Sequence, residues 1–458
     1  MPKRNLVWIL AVVLLLLLFW KWPDTVQQQR DFYKVFGPLA EIRAQIHRSY
    51  VDSVGDENLM RGAIGGMVQQ LDPYSKYIPP DQVMSFDQQT SGTIQGIGIF
   101  LDDRPGFLTV LSPLEDSPAF KAGIMAGDQI LRIEGVSTKN MTMEEAAKRL
   151  SGPVDTKVTV EVRHEITGKL EVITLTRESV HVYSVKGFVR KPSGTWDYLI
   201  DPKARIGYVR ITSFLTHTTD ELDQAYRELL GQDVQALVLD LRTDPGGLLE
   251  SGVEVASRFL SSGVIVSTKG RYQQESVWKA GGENVYKPLP MVVLVNEYTA
   301  SAAEIVAGAL KDHHRAKIIG VRTYGKGSVQ SLISLGKDLG EIKITTAYYY
   351  LPNGRNIHRR PDAKVWGVDP DVAIPLTIRE QMKIEETRRQ ADVLWGKLTT
   401  TAASTLAAKI PQPKPLTIDR QLSAALEALR REVSAKKIPP TQPIGATTQA
   451  VSNAAVHN

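Results

Sequence analysis

Two runs, Ala236-Leu237-Val238-Leu239-Asp240-Leu241-Arg242 and Met291-Val292-Val293-Leu294-Val295, are nearly or wholly apolar and show no alternation. A strand with one wet face would alternate polar and apolar residues, so both runs predict strands covered on both faces, as in a parallel sheet layered with helices. The first run leads through Thr243-Asp244-Pro245-Gly246-Gly247 into a helical pattern from Leu249 to Leu260, and the second through Asn296-Glu297-Tyr298-Thr299-Ala300-Ser301 into another at Ile305–Leu310. An Ile206–Ile211 strand and a Thr219–Leu230 helix precede them, and strands at Ala316–Val321, Val329–Leu335 and Ile342–Leu351 follow. The rhythm is that of an α/β domain.

Ser301 stands where strand becomes helix. Free backbone N–H groups and the positive end of the helix dipole would face a developing oxyanion there, which suits a nucleophile. Ser301-Ala302-Ala303-Glu304 is also an S-x-x-E capping box, which needs no chemistry, and the local residues leave both readings open. Gly246-Gly247 after Pro245 lets the backbone turn sharply with N–H groups pointing outward, although a plain strand-to-helix loop would look the same.

Residue types exclude several chemistries. The chain has no cysteine, so disulfides, thiolate metal sites and cysteine nucleophiles are ruled out. His313 and His314 are adjacent and would point about 100° apart on a helix, so they cannot grip one metal as an i, i+4 pair does. No metal and no organic cofactor is expected. Gly320-Val321-Arg322-Thr323-Tyr324-Gly325-Lys326 begins like a phosphate-binding loop, but Gly327 stands where a Mg²⁺-binding hydroxyl is needed. The 55 basic residues are scattered among 50 acidic ones, so nothing marks a nucleic-acid surface. A serine without a histidine partner needs another base. Lys326, flanked by glycines among apolar strands, could serve if desolvation lowered its pKa, and Gln330 four residues on could hold the amine.

The N-terminus carries Lys3 and Arg4 and then an unbroken apolar run from Leu6 to Trp20. As a helix the run covers about 22 Å, short of the ~30 Å hydrocarbon core, with Lys21 able to snorkel and Trp22 suited to the interface. No small-x-small cleavage site follows, so the expectation is an uncleaved signal anchor over 1–22 rather than a signal peptide. The rest of the chain would then lie outside the cytoplasm. Residues 23–93 read as helical, a lead-in for packing or dimerisation or else a spacer; 376–458 read as a helical and disordered tail, with an amphipathic helix from Asp419 to about Lys436 and disorder from Pro439.

Residues 94–180 resemble a PDZ domain in the Gly96-Ile97-Gly98-Ile99 edge, the Ser117-Pro118-Ala119-Phe120-Lys121-Ala122-Gly123 turn and the Gly127-Asp128-Gln129-Ile130-Leu131-Arg132-Ile133-Glu134-Gly135 strand. The resemblance implies that a peptide C-terminus docks as an added strand along Gly96–Ile99.

Ser301, Lys326 within Thr323-Tyr324-Gly325-Lys326-Gly327, and Gln330 together resemble the Ser-Lys-Gln triad of the carboxy-terminal processing peptidases. Further matches are Leu71-Asp72-Pro73-Tyr74-Ser75, Gly207–Ile211, Leu239-Asp240-Leu241-Arg242, Pro245-Gly246-Gly247 and Pro370-Asp371. Tyr74 and Asp244 depart from the family's usual histidine and asparagine. The resemblance implies a crotonase-like (ClpP/crotonase-type) serine protease core over 181–375 with an inserted PDZ domain. By the same resemblance Ser301 is the nucleophile, Lys326 the base and Gln330 its support, Gly246 and Ala302 supply oxyanion N–H groups, and Arg163 links peptide docking to the triad. Expected partners are protein substrates recognised at the C-terminus, the membrane, a second copy of the chain and an activating adaptor. The alternative is a catalytically silent, membrane-anchored PDZ scaffold.

Overall fold

Both unalternating runs become central strands of a buried sheet. The computed structural model describes residues 34–102, 106–191, 193–272, 274–283, 285–394 and 419–437, with Asn5 and Trp8. The apolar run Leu6–Trp20 apart from Trp8, and the segment from Pro439 onward, lie outside the described residues. Among the described residues no helix is long and apolar enough to cross a membrane.

The chain divides into two compact units. The smaller comprises residues up to Asp81 and Leu332–Ile344. It holds a helix over 34–49 (α1), a helix Asp56–Gln69 (α2) and a short strand Lys76–Ile78 (β1), which pairs antiparallel with Glu341–Lys343. This β1 strand interrupts the all-helical lead-in expected from sequence. Asp72 explains the interruption, because its carboxylate accepts the N–H groups of Tyr74 and Ser75 and so turns the chain out of helix.

The larger unit contains the PDZ-like sheet and the α/β core. The PDZ-like sheet is ordered Ile99–Asp102 (β2), Leu108–Pro113 (β3), Gln129–Ile133 (β4), Lys157–Arg163 (β5) and Leu170–Thr176 (β6), all antiparallel. Val158, Val160 and Val162 alternate inward from β5 onto Ile130, Ile133 and the helix Met143–Leu150 (α3). The continuous Gly96–Leu101 strand read from sequence is broken. Thr93–Gly96 pairs with Glu178–His181 in a separate ribbon, and β2 begins only after Gly98, whose φ of +72° turns the chain.

In the core, Ile206–Ile211 (β7), Ala236–Asp240 (β8), Met291–Val295 (β10), Lys317–Gly320 (β11) and Val372–Ala373 (β14) form a parallel array in that order. An antiparallel layer is built from Val264–Gly270 (β9), Ser328–Ser334 (β12) and the end of Glu341–Tyr350 (β13). Alternate residues of the array point into two apolar layers. Leu237, Leu239, Val293, Val295 and Ile318 meet the helices Thr218–Gly231 (α4), Leu249–Ser257 (α5) and Ala302–Asp312 (α6). On the other face Ala236, Val238, Val292, Leu294 and Ile319 meet Leu422, Ala425, Leu426, Leu429 and Val433 of Arg420–Lys437 (α8).

The amphipathic helix assigned to the tail beyond 375 is therefore a layer of the core, and its apolar stripe is used within the chain. A further helix, Ile378–Asp392 (α7), lies between β14 and α8 in sequence. Its Arg388 joins Arg242 on the buried Asp240 carboxylate, and Arg242 also holds Asp419 at the head of α8.

Leu426 is almost fully buried in this layer. Leu426→Ala is expected to lower the unfolding free energy by about 2–5 kcal/mol, read from urea denaturation of the whole chain. A change below about 0.5 kcal/mol would mean that α8 is not part of the cooperative core.

Candidate active site

The site is assembled where α6 begins. Ser301 occupies a left-handed backbone conformation, φ 56° and ψ −121°, unusual for a residue with a side chain. Such a conformation costs roughly 1–3 kcal/mol and persists only where its surroundings over-determine it. Here the surroundings are a carboxylate. Glu304, fully buried on the first turn of α6, accepts the Ser301 N–H at 2.9 Å and the Lys326 N–H at 2.8 Å on Oε2. Its Oε1 accepts the Thr323 hydroxyl at 2.5 Å and the Gly325 N–H at 2.7 Å. Burial pushes this carboxyl above its ordinary value, and the four donors pull against that.

A second tie runs through Tyr349 of β13. Its hydroxyl lies 2.5 Å from the Lys326 carbonyl oxygen and 3.2 Å from that of Ser301. The Tyr324 N–H adds a bond to the Thr299 carbonyl at 3.0 Å. The Lys326 turn and the Ser301 elbow are thus fastened together through main-chain atoms, and both side chains are half-buried. The Gln330 amide nitrogen donates to Ser328 Oγ and Thr345 Oγ1, each at 3.0 Å.

Gly246 and Ala302 are also brought together. A Cβ placed on Gly246 would lie 2.7 Å from Ser301 Cβ and 2.8 Å from the Ala302 nitrogen, so only glycine fits beside the serine. Its φ of +90° adds a second reason. The Ala302 N–H, at the head of α6, donates to no acceptor among the described residues. The Gly246 N–H, in contrast, donates to Asp244 Oδ1 at 2.7 Å. Asp244 is fully buried and its Oδ2 has no partner among the described residues. Burial pushes its carboxyl well above the ordinary value, opposed only by the Gly246 N–H.

The residues read as peptide-binding lie on the PDZ-like sheet. Among the described residues its strand β2 pairs with β3 and no other strand, which leaves an edge next to Gly96–Ile99. Gly98 has no room for a side chain, since a Cβ would lie 2.3 Å from Ser117 Cβ. Arg163 is exposed at the end of β5 and donates to Gln129 of the adjacent strand rather than to the triad. The bonds from this sheet to the core are made elsewhere. The Leu394 N–H, just after α7, donates to Ser112 Oγ on β3 at 2.9 Å, and Arg190 pairs with Glu115 at 3.1 Å.

Sequence reasoning missed the roles of Glu304, Tyr349 and Thr323. The S-x-x-E pattern did flag Glu304, but only as a cap for its own helix. Nothing in Ala347-Tyr348-Tyr349-Tyr350 singles out Tyr349. Glu304→Gln puts an N–H₂ against two of the four donors, and the expected loss is about 3 kcal/mol or more, measured by the denaturation midpoint. An unchanged midpoint would mean that the clamp bears no load.

Three segments match known family profiles: residues 205–374 match Peptidase family S41, 109–164 a PDZ domain, and 23–82 the activating protease CtpB N-terminal domain. A carboxy-terminal-processing protease of Bartonella bacilliformis is 34% identical over 426 residues, covering 91% of this chain and 93% of that one. A carboxyl-terminal-processing protease of Synechocystis is 36% identical over 68% of this chain and 70% of its own. Among solved structures, a photosystem II D1 C-terminal processing protease shares 31% identity, with 73% of this chain and 86% of that chain covered and a TM-score of 0.42. With identity at this level running almost end to end, the chain belongs to the carboxy-terminal processing peptidases, serine peptidases that carry a PDZ domain.

Proposed function

We propose that Ser301, Lys326 and Gln330 form the triad of this serine endopeptidase. The observation that carries the reading is the Glu304 carboxylate, which binds the main-chain N–H groups of both Ser301 and Lys326. One buried carboxyl that holds a strained serine and a glycine-flanked lysine in register serves an acyl transfer and is not needed for a helix cap alone. Lys326, neutral, takes the proton from Ser301 Oγ as the oxygen attacks a peptide carbonyl, and the same amine then activates the water that hydrolyses the acyl-enzyme. Gln330 orients the amine. Ala302 and Gly246 donate N–H groups to the oxyanion, a contribution of about 3–4 kcal/mol per donor in well-studied enzymes.

Substrates are proteins whose C-termini add as a strand to the open edge of β2 near Gly96–Ile99. Docking gates the triad by shifting the enzyme toward its aligned state. The contacts of Ser112 with Leu394 and of Glu115 with Arg190 join this sheet to the core more directly than Arg163 does. The core is crotonase-like, supported by its parallel array and flanking helices. The apolar run Leu6–Trp20 behind Lys3 and Arg4 anchors the chain in the cytoplasmic membrane with the catalytic part on the extracytoplasmic side. The N-terminal helical segment joins copies of the chain or receives an activating adaptor.

Hydrolysis of an unfolded protein with a free C-terminal tail tests the triad. Ser301→Ala and Lys326→Ala should each lower kcat/KM by at least about 10³ while leaving the thermal midpoint in place. Turnover that survives either change would overturn the assignment. Amidating the tail should weaken binding to the Ser301→Ala protein by about tenfold, or about 1.4 kcal/mol; equal binding of the acid and amide forms would remove the carboxylate from recognition.

A further inference from the structure

Gly246 lies in contact with Ser301, yet its N–H does not point at an open site. It is bonded at 2.7 Å to Oδ1 of Asp244, two residues earlier in the same turn. The turn itself is fixed on both sides. The Asp244 carbonyl accepts the Ala300 N–H at 2.9 Å, and the Gly246 carbonyl accepts the Phe214 N–H at 3.0 Å and the Ser213 hydroxyl at 2.9 Å. The peptide can offer its N–H to a new acceptor only by drawing it away from Asp244 or sharing it. Asp244 Oδ2 is buried with no partner among the described residues, where the carboxyl is held by that one N–H.

We propose that Asp244 is a positioning residue for the oxyanion donor: its carboxyl holds the Gly246 N–H in the resting enzyme and yields it to a developing oxyanion only while the carboxyl is neutral. The proposal rests on the triad reading above and deepens it.

The argument is electrostatic. A neutral carboxyl is an ordinary acceptor, and a full negative charge arising on the substrate oxygen outcompetes it for the same N–H. A carboxylate would hold that N–H more strongly and would place a second negative charge beside the oxyanion. Neutrality puts the proton on Oδ2, because Oδ1 already accepts.

The charged groups around the turn are engaged with other partners. Arg242 is turned to Asp240, Asp419 and Gln421, and Arg388 to Asp240 and Glu385. Glu304 is bonded to Ser301, Thr323, Gly325 and Lys326, Glu297 accepts from Gln381, and Glu385 accepts from Thr243. Among the described residues, the one hydrogen bond to the Asp244 carboxyl is that from the Gly246 N–H. Burial favours the neutral acid and the Gly246 N–H opposes it, and burial wins.

The sign of the pH dependence follows. With its folded value raised, Asp244 is neutral at low pH and ionises as pH rises, so the chemical step should weaken on the alkaline side. Asparagine keeps an oxygen acceptor for the Gly246 N–H and never ionises. The test is kcat/KM of the full chain on the tailed unfolded substrate, from about pH 5 to about pH 9, for the native protein and Asp244→Asn. The native-to-variant ratio should fall about tenfold or more across that range, the variant losing the alkaline decline.

Asp244→Ser, a smaller uncharged acceptor, should lose the same decline and serves if the asparagine variant does not fold. Superimposable pH profiles in a folded variant would overturn the proposal. Ser301→Ala separates the two readings. If it is inactive while the pH profiles coincide, only the role of Asp244 fails; if it retains turnover, the triad beneath the proposal fails.

Discussion

Four hydrogen bonds to one buried carboxylate hold the active centre in shape. Glu304 takes the N–H of Ser301 from its own helix and the N–H groups of Gly325 and Lys326 and the Thr323 hydroxyl from a turn some twenty residues on. The four donors offset part of the desolvation of this carboxyl, whereas the same group with fewer would be a liability in the core. The unusual backbone angle at Ser301 depends on this arrangement, because an isolated strand-to-helix junction has no reason to hold a non-glycine residue at positive φ. Tyr349 repeats the logic from the other side with a single hydroxyl near the carbonyls of Ser301 and Lys326.

A second set of buried charges steadies the neighbouring loop. Asp240 ends β8 just before the Thr243–Gly247 turn, and Arg242 and Arg388 converge on its carboxylate. Burial alone would raise this carboxyl, yet the two guanidinium groups outweigh it and hold it well below the usual range. Its contribution to stability is therefore present above the ordinary carboxylate pKa of about 4 and is lost as pH falls toward its depressed folded value. Through Arg242–Asp419 the network reaches the start of α8, and through Thr243–Glu385 it ties α7 to the turn that carries Gly246. The C-terminal helices consequently support the Thr243–Gly247 turn from behind as well as covering the sheet.

Much of this was readable in advance, and the reasons are local. Unalternating apolar runs at 236–241 and 291–295 have no other stable use than a sheet covered on both faces. The glycine at 246 and the S-x-x-E sequence at 301–304 announce a tight turn and a helix start wherever they occur. Less legible is an element whose role depends on a distant partner. The tail helix near 419–437 is amphipathic, and amphipathicity says that one face is buried without saying against what; in the fold it is β8 and β10.

The sequence by itself determined the layered α/β core, the PDZ-like sheet, and the family, because strand burial, turn glycines and family motifs are written in consecutive residues. Only the tertiary structure decided that Glu304 joins the serine elbow to the lysine turn, that the Gly246 N–H is held by a buried Asp244, and that the last described helix belongs to the core. The first and the last are pairings between groups on separate elements, and the second depends on the burial of a local turn, all set by how the sheet, its helices and its loops pack in three dimensions. Hydrogen-bond partners and burial, which decide whether a carboxyl is a clamp, a latch or a solvated side chain, exist only once that packing is complete.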